Sequence, residues 1–446
     1  MSYKTYEEYK DSNVDWIDLI PTYWHTYKLK HVINEFIAGG TPKSSNDAFW
    51  DENNNGIPWI AIGDMTDNDY LNSTSKSITR EGLANKNLRI LKKGTLIYSI
   101  FASLGKTSIL NIDATTNQAI LGLITSNKID IKYLKYYLEA LRSTISRFAN
   151  ENTQENLNSS IVKNMEIAIP NPLEEQKQIA NYLDKQTSKI DAIIAKNKVL
   201  IDLLEEKRTA LINQVVTKGL NPDVPMKDSG IEWIGEIPSH WKTNKIKNMS
   251  YVKGRIGWHG LTSEEYSDEG AYLVTGTDFV EGNVDWDHCN HISYERYQQD
   301  PNIHLKENDL LITKDGTIGK LALIKNIPDK ATLNSGIFLV RPLEDNYSND
   351  YLYWILSSDI FTRFFDYIKT GATIAHLYQE TFERFFFPYM SIEEQNEIVE
   401  YLNDNVSKMD FTIKKVEENI KLLEEYKNSL IHHAVTGKID VRSEEI

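Results

Sequence analysis

Cysteine is nearly absent from this chain: Cys289 is the only one in 446 residues. That excludes a disulfide framework and any zinc site built on cysteine clusters. Long apolar runs are missing too. No stretch approaches the ~18 residues of a membrane span, and the polar Met1–Ser12 segment lacks the apolar core of a secretory signal. A soluble protein of the reducing cytoplasm, with no membrane partner, is therefore expected. Basic residues are in deficit, 49 Lys and Arg against 64 Asp and Glu, for a net charge of −15. Such a balance argues against a generic nucleic-acid binder, because neutralising phosphates needs a local surplus of Lys and Arg. The length allows two or three packed domains.

What the chain does have is written twice. Glu174–Leu220 and Glu393–Ile439 align at a constant offset, with 20 identities in 47 positions, among them Glu-Glu-Gln, Tyr-Leu and Leu-Leu-Glu-Glu. Ser12–Val32 aligns with Ser229–Met249, with 9 identities in 21. Weaker echoes lie between: Gly105-Lys106 with Gly319-Lys320, and Ala114-Thr-Thr-Asn117 with Ala331-Thr-Leu-Asn334. A period this long excludes a solenoid and implies duplication of a domain-plus-helix unit, with an approximate two-fold if the units pair. Scaffold segments are shared and the inserts between them differ, as expected of a frame that presents two different readers.

In each copy, after Pro170-Asn-Pro172 and after Pro388, the pattern turns helical. Leu183, Thr187, Ile190, Ile194, Asn197, Ile201, Leu204, Arg208, Leu211 and Val215 step alternately by four and three. Leu402, Val406, Met409, Ile413, Val416, Ile420, Leu423, Lys427, Leu430 and Ala434 do the same. This is a sustained heptad seam, with Gly219 and Gly437 placed as C-terminal caps. Two matching seams on one chain predict an intramolecular antiparallel coiled coil; two separate core helices are the plainer alternative. A seam asparagine, Asn197, would help set register.

The segments between the helices read as α/β. Strands are expected at 57–64, 94–100 and 119–124, and at 271–276, 309–313, 321–324 and 337–340. Each domain ends in an aromatic-rich helix, Lys132–Phe148 and Asn349–Phe365. Its aromatics (Tyr133, Tyr136, Tyr137; Tyr351, Tyr353, Trp354) are expected in the core, not as platforms for bases. Contact candidates lie in the loops. Gly39–Ser45 offers Thr41, Lys43, Ser44 and Ser45; the equivalent Gly254–Gly260 offers Arg255, Trp258 and His259. The Gly-Lys echoes add Ser103 and Lys106, and Lys314, Thr317 and Lys320. The polar stretches at 151–156 and 370–376 add Asn152 and Gln154, and Thr373 and His376. Small, hydroxyl and basic residues suit close backbone approach and hydrogen bonds to phosphates or base edges, although ordinary turn chemistry suits the same residues.

Catalytic constellations are missing. Gly105-Lys106-Thr107 resembles the end of a phosphate loop, but that motif needs glycine where Ile100 stands, and Gly319-Lys320 fails likewise at Lys314. Asn171-Pro172-Leu173 lacks the aromatic of an amino-methylating motif. Pro222-Asp223 and Pro328-Asp329 have no nuclease-type Glu-x-Lys following. His288-Cys289-Asn290-His291 is one short cluster, better read as a loop than as a metal site. His432 and His433, adjacent on a helix, cannot share a metal side-on. No enzymatic activity and no metal are expected.

The duplicated Glu-Glu-Gln helices, the Trp-Ile-x-x-Ile-Pro-x-x-Trp segments and Gly56-Ile-Pro-Trp-Ile-Ala-Ile-Gly-Asp64 together resemble the specificity subunit of type I restriction-modification systems, over almost the whole chain. Phe387-Pro-Tyr-Met-Ser-Ile-Glu-Glu-Gln395 departs from its counterpart Ile169–Gln176 in lacking a second proline. The resemblance implies an α/β fold class with two target-recognition domains (1–171 and 223–388) and two conserved helices (172–222 and 389–446) forming an antiparallel coiled coil. It implies that each domain reads half of a split site on double-stranded DNA and that the helices set the spacer. It also implies docking of two modification subunits, which carry S-adenosylmethionine and methylate adenine by base flipping, and of restriction subunits with ATP and Mg2+. The chain itself is expected to hold no cofactor. A non-DNA scaffold bearing two ligand-binding domains is the alternative reading.

Charge then divides by region: −1 for 1–171, +1 for 172–222, −9 for 223–388 and −6 for 389–446. The deficit lies in the second half. The isolated subunit is accordingly expected to bind DNA weakly, its partners supplying much of the phosphate clamp; tight, specific binding by the purified chain at physiological salt would contradict this. Lys43, Ser44, Arg255 and His259 are expected within reach of DNA.

Overall fold

In a computed structural model, residues 3–53, 55–65, 69–101, 103–147, 157–255, 261, 263–368 and 376–443 are described. The chain divides into two compact units, Met1–Asn197 with Glu418–Ile446, and Lys198–Glu417. The cut falls inside both long helices. Each helix begins on the domain that precedes it and ends packed in the other unit. No described helix is long and apolar enough to cross a membrane.

The first unit holds a five-stranded sheet of β1 (Ile33–Ala38), β2 (Tyr70–Leu71), β3 (Leu96–Ser99), β4 (Thr107–Leu110) and β5 (Ile120–Thr125), ordered β1-β5-β3-β4-β2. Only the β4–β2 pair is parallel. A second sheet takes Ile57–Ile60, shorter than expected because Asp64 Oδ2 accepts from Ala61 N at 2.8 Å and turns the chain at 61–64. Helix α1 (Ile131–Leu141) starts at Asp130, whose carboxylate accepts from the Lys132 and Tyr133 amides. It buries Tyr133, Tyr136 and Tyr137 as core and gives way to a 3-10 turn at Arg142, short of the expected end at Phe148.

In the second unit the order β6-β11-β9-β10-β8-β7 repeats this plan, with β6 (Ser250–Gly254), β7 (Phe279–Val280), β8 (Asn283–Val284), β9 (Leu310–Thr313), β10 (Leu321–Leu323) and β11 (Ile337–Pro342). Helix α3 (Asn349–Leu356) is capped by Ser348, and Tyr351 and Trp354 are buried. The expected helix through Phe365 breaks at Ser357-Ser358. Both hydroxyls bond back to carbonyls, of Tyr353 and Ile355, competing with the helical ladder. A further helix resumes at Asp359–Ile368.

The repeated Glu-Glu-Gln has a structural meaning in both units. Gln176 and Gln395 are fully buried near the start of the long helices, α2 (Leu173–Lys218) and α4 (Ile392–Val435). Gln176 Nε2 donates to Lys128 O and Pro170 O, and its Oε1 accepts from Asp130 N. Gln395 does the same with Asn346 O, Met390 O and Ser348 N. One amide thus ties helix start, preceding strand and the cap of α1 or α3 together, leaving no buried polar atom of its own unpaired.

The seam follows the heptads. In the first unit Leu183, Ile190 and Ile194 are buried and Asn197 half-buried, with Leu430 buried and Ile420 and Leu423 half-buried. In the second, Leu402 is buried, and Ile201, Leu204, Leu211, Met409, Ile413 and Val416 are half-buried. Asp191 pairs with Lys427 at 2.7 Å inside the first unit, and Arg208 with Asp410 at 2.9 Å inside the second. Each pair joins helices that run antiparallel within its own unit.

Candidate nucleic-acid interface

Separate loops meet at one end of the main sheet in each unit. In the first, β1 runs into Gly39, where a Cβ would lie 2.1 Å from Asn117 O; only glycine fits. Gly40 N donates to Thr116 O at 2.8 Å, and Thr41 Oγ1 bonds Gln118. The β3–β4 loop arrives alongside, with Ile100 N on Ala119 O at 2.8 Å. Leu157 N then donates to Ile100 O at 3.0 Å.

The second unit repeats the last two of these bonds with different side chains. Lys314 N donates to Gly336 O at 2.8 Å, Leu377 N to Lys314 O at 2.9 Å, and β6 delivers Gly254-Arg255 beside Phe338. Gly254 needs to be small because a Cβ would stand 2.9 Å from the Phe338 ring.

The weak Gly-Lys echo is one loop built twice. Ser99 Oγ donates to Ser103 O and accepts from Lys106 N, while Ser99 N and O bond Lys106 O and Gly105 N. Thr313 makes the same four bonds to Thr317, Lys320 and Gly319. Gly105 and Gly319 take φ of 76° and 86°, the left-handed region that glycine occupies without strain. A hydroxyl at the strand end closes the loop and presents the lysine after the glycine at a fixed point.

Side-chain placement sorts the candidates. Lys43, Ser44, Ser45, Ser103, Thr317 and Lys320 face solvent. Thr41 is half-buried, as is Lys106, whose Nζ reaches Met65 O at 3.2 Å. Lys314 Nζ lies 5.0 Å over the Phe338 ring, and burial holds its ammonium below the ordinary lysine range against the opposing Asp315 carboxylate. His376 Nδ1 bonds Asp315. Arg255 corrects the sequence expectation. It is 2% exposed, its guanidinium donating to Leu333 O and Thr332 Oγ1, and burial lowers its pKa. Its Nη1 is buried without a hydrogen-bond partner among the described residues. Asn152, Gln154, Trp258, His259 and Thr373 fall outside the described residues.

Sequence reasoning passed over Trp50 and Lys76, which with Ser44 and Asp51 line a cavity of about 300 Å3 next to the Lys43 loop. Lys76 Nζ stands 5.6 Å over the Trp50 ring. Their separation in sequence hides the pairing. Among the described residues no group of three or more His, Cys, Asp or Glu could hold a metal, and His288 is engaged by Asp285 at 2.8 Å. The loop ends offer amides, hydroxyls and ammonium groups, the donors that suit phosphate oxygens and base edges, alongside the carboxylates of Asp47, Asp51, Glu52 and Asp315.

Comparison with known proteins agrees with the doubled plan. The family described as the type I restriction modification DNA specificity domain matches residues 21–201 and again 238–423. The type I restriction enzyme MjaIX specificity subunit of Methanocaldococcus jannaschii is 24% identical over 451 residues, 97% of either chain. The EcoBI specificity subunit of Escherichia coli is 22% identical over 333 residues, 73% of this chain and 69% of its own. In fold, a chain from a structure concerned with complex assembly and conformational transition of the type I R-M system superposes with a TM-score of 0.74 at 14% identity, covering 94% of this chain and 99% of that one. The HsdS subunit of Thermoanaerobacter tengcongensis gives 0.55, also at 14% identity, over 94% and 98%. With one family match on each copy of its internal repeat, the chain belongs to the type I restriction-modification DNA specificity family and is a subunit that recognises DNA sequence.

Proposed function

We propose that the two loop ends read the two halves of a bipartite, asymmetric DNA site, and that α2 and α4 set the spacer between them. The observation that carries this reading is the doubled loop end: identical backbone bonds at Ser99 and Thr313, at Ile100 and Lys314, and at Leu157 and Leu377, under unlike exposed side chains. A shared frame places both readers alike on the duplex, while different side chains read different bases. Lys43 and Lys320 are assigned to phosphate contact.

The chain in this reading makes and breaks no bond. Two modification subunits dock on the helices and bring S-adenosylmethionine to a flipped adenine; restriction subunits bring ATP and Mg2+. Exposed apolar side chains on the helices, including Leu200, Leu203, Phe411, Leu422 and Tyr426, support a protein-covered surface. The acidic balance of the second half also favours partners that complete the phosphate clamp.

The test is methylation-sensitive sequencing of a host carrying this chain with its methyltransferase subunit. Methylated adenine in two short motifs at constant separation is expected. Replacing residues 13–171 by the corresponding domain of another member should change one motif only. A single undivided motif, or a change in both, would overturn the assignment.

A further inference from the structure

The junction between domain and helix is bridged by an ion pair in one unit and opens into a cavity in the other. In the first unit Lys132 Nζ pairs with Asp184 of α2 at 2.6 Å, and Tyr136 OH donates to the same carboxylate at 2.7 Å and meets Thr187 at 3.2 Å. Lys135, 3% exposed, is held between Asp69 and Glu139. Lys132 and Tyr136 therefore tie the domain to the helix, while Lys135 is neutralised inside the domain.

The internal repeat identifies the counterparts. Tyr133 and Tyr351 both donate to the carbonyl of the strand preceding the long helix, Ala168 O and Pro388 O, which aligns α1 with α3. Lys132 then corresponds to Asp350, Lys135 to Tyr353 and Tyr136 to Trp354. On the helix, Asp184 and Thr187 correspond to Asn403 and Val406. Strand pairing matches Asp69 with Gly282, where a Cβ would strike the Tyr353 hydroxyl at 2.4 Å. The bridging lysine is replaced by a carboxylate, and a cavity of about 1230 Å3 lies at this place, lined by all of these second-unit residues.

The charges on its wall are unbalanced. Arg208 is taken by Asp410 at 2.9 Å, and Lys325 by Asp350 at 3.1 Å. Of the remaining charges on the wall one is cationic, Lys414, and three are acidic, Glu205, Glu281 and Glu417; Trp354 and Phe411, the latter 63% exposed, line the same cavity. The volume exceeds the roughly 300–1,000 Å3 typical of small-molecule sites. A wall that combines surplus carboxylates with aromatic rings favours cations. It repels nucleic acid.

We infer that this cleft receives a Lys- or Arg-bearing segment of the modification subunit serving the second half-site, supplying from outside the cation that Lys132 supplies internally in the first unit. The inference rests on the reading above that modification subunits dock on this chain. It adds that the two are held unequally, the second through an ion-dependent contact that the first does not need.

The test is stepwise binding of the methyltransferase subunit to the full-length chain, followed by native mass spectrometry and calorimetry across a salt series. Wild type should bind two subunits, one step weakening more steeply with salt. Glu281→Lys with Glu417→Lys, both exposed positions, should weaken that step at least 10-fold and leave the other unchanged; Phe411→Ala should weaken it less. Unaltered melting of the free variants excludes misfolding. Two equal steps in the variant, or equal weakening of both, overturn the inference and leave the proposed function standing. Failure of wild type to bind any subunit overturns the docking reading itself.

Discussion

Removing one heptad from each long helix, Ile194–Leu200 and Ile413–Asn419, is expected to yield a subunit that directs methylation to the same two half-site sequences at a shorter separation. Seven residues are two turns of a supercoiled helix, so the seam keeps its phase and the deleted chain still pairs. Seven residues also remove about 10 Å of rise, the length of roughly three base pairs at ~3.4 Å each. On the original site only one half can then be engaged. Since specific binding exceeds non-specific binding by ~10³-fold or more, methylation there should fall by about that factor, while a site with the shortened spacer is gained. Methylome sequencing reads both numbers at once. An unchanged spacer would remove the helices as the ruler and leave the domains alone to set the gap. The symmetric deletion matters: cutting one helix only would slide Asp191 past Lys427 and Arg208 past Asp410, and the outcome would mix register loss with length.

How much of this was legible beforehand depends on the range of the interactions. The heptads were legible, because a seam is a local pattern repeated many times, and Leu183, Ile190, Leu402 and Leu430 lie in the interior as their spacing predicts. The duplication was legible for the same reason. The meaning of Glu-Glu-Gln was not, since the partners of Gln176 lie up to 48 positions away. Arg255 was misread because neighbouring glycines announce a loop and say nothing of Leu333 O waiting inside. The Gly-Lys echo looked like a failed phosphate loop. Its function is set by Ser99 and Thr313, strand residues whose hydroxyls close it. The cavity at the second junction was the least visible of all. It hangs on single exchanges such as Lys132 for Asp350, which no periodicity records.

Trp24→Ala should be among the most damaging single changes outside the loop ends, and its damage should be confined to the first unit. The indole is fully buried, packs edge-on to Tyr6 at 5.8 Å, and donates Nε1–H to Glu175 at 3.2 Å. Its ring also lies against Gly437, past the end of α4, where a Cβ would stand 3.3 Å from it. One side chain therefore joins the start of α2 to the end of α4. Removing it leaves a cavity costing about 3–5 kcal/mol, which lowers the melting temperature of a unit this size by on the order of 10 °C. Trp24→Phe keeps most of the volume and removes only the donor, for about 1–2 kcal/mol. The loss is tempered because Glu175 retains the Tyr6 and Tyr23 hydroxyls at 3.0 and 2.9 Å. Trp241→Ala is the matched experiment. Its indole donates to Glu394 at 2.9 Å and packs on Gly219, but only His240 remains to serve that carboxylate. Hydrogen exchange read residue by residue separates the two: protection should fall in residues 3–197 and 418–443 for Trp24→Ala, and in 198–417 for Trp241→Ala. The first-unit cluster also predicts a sign in alkali. Burial, with the hydrogen bond to Glu175, pushes the Tyr23 phenol up to about 12, so the folded form holds its proton where the unfolded chain has lost it. The stabilisation is complete below pH 10 and declines from there to about pH 12. Tyr23→Phe should flatten that decline, and an unchanged alkaline slope would show that the phenol is not coupled to folding.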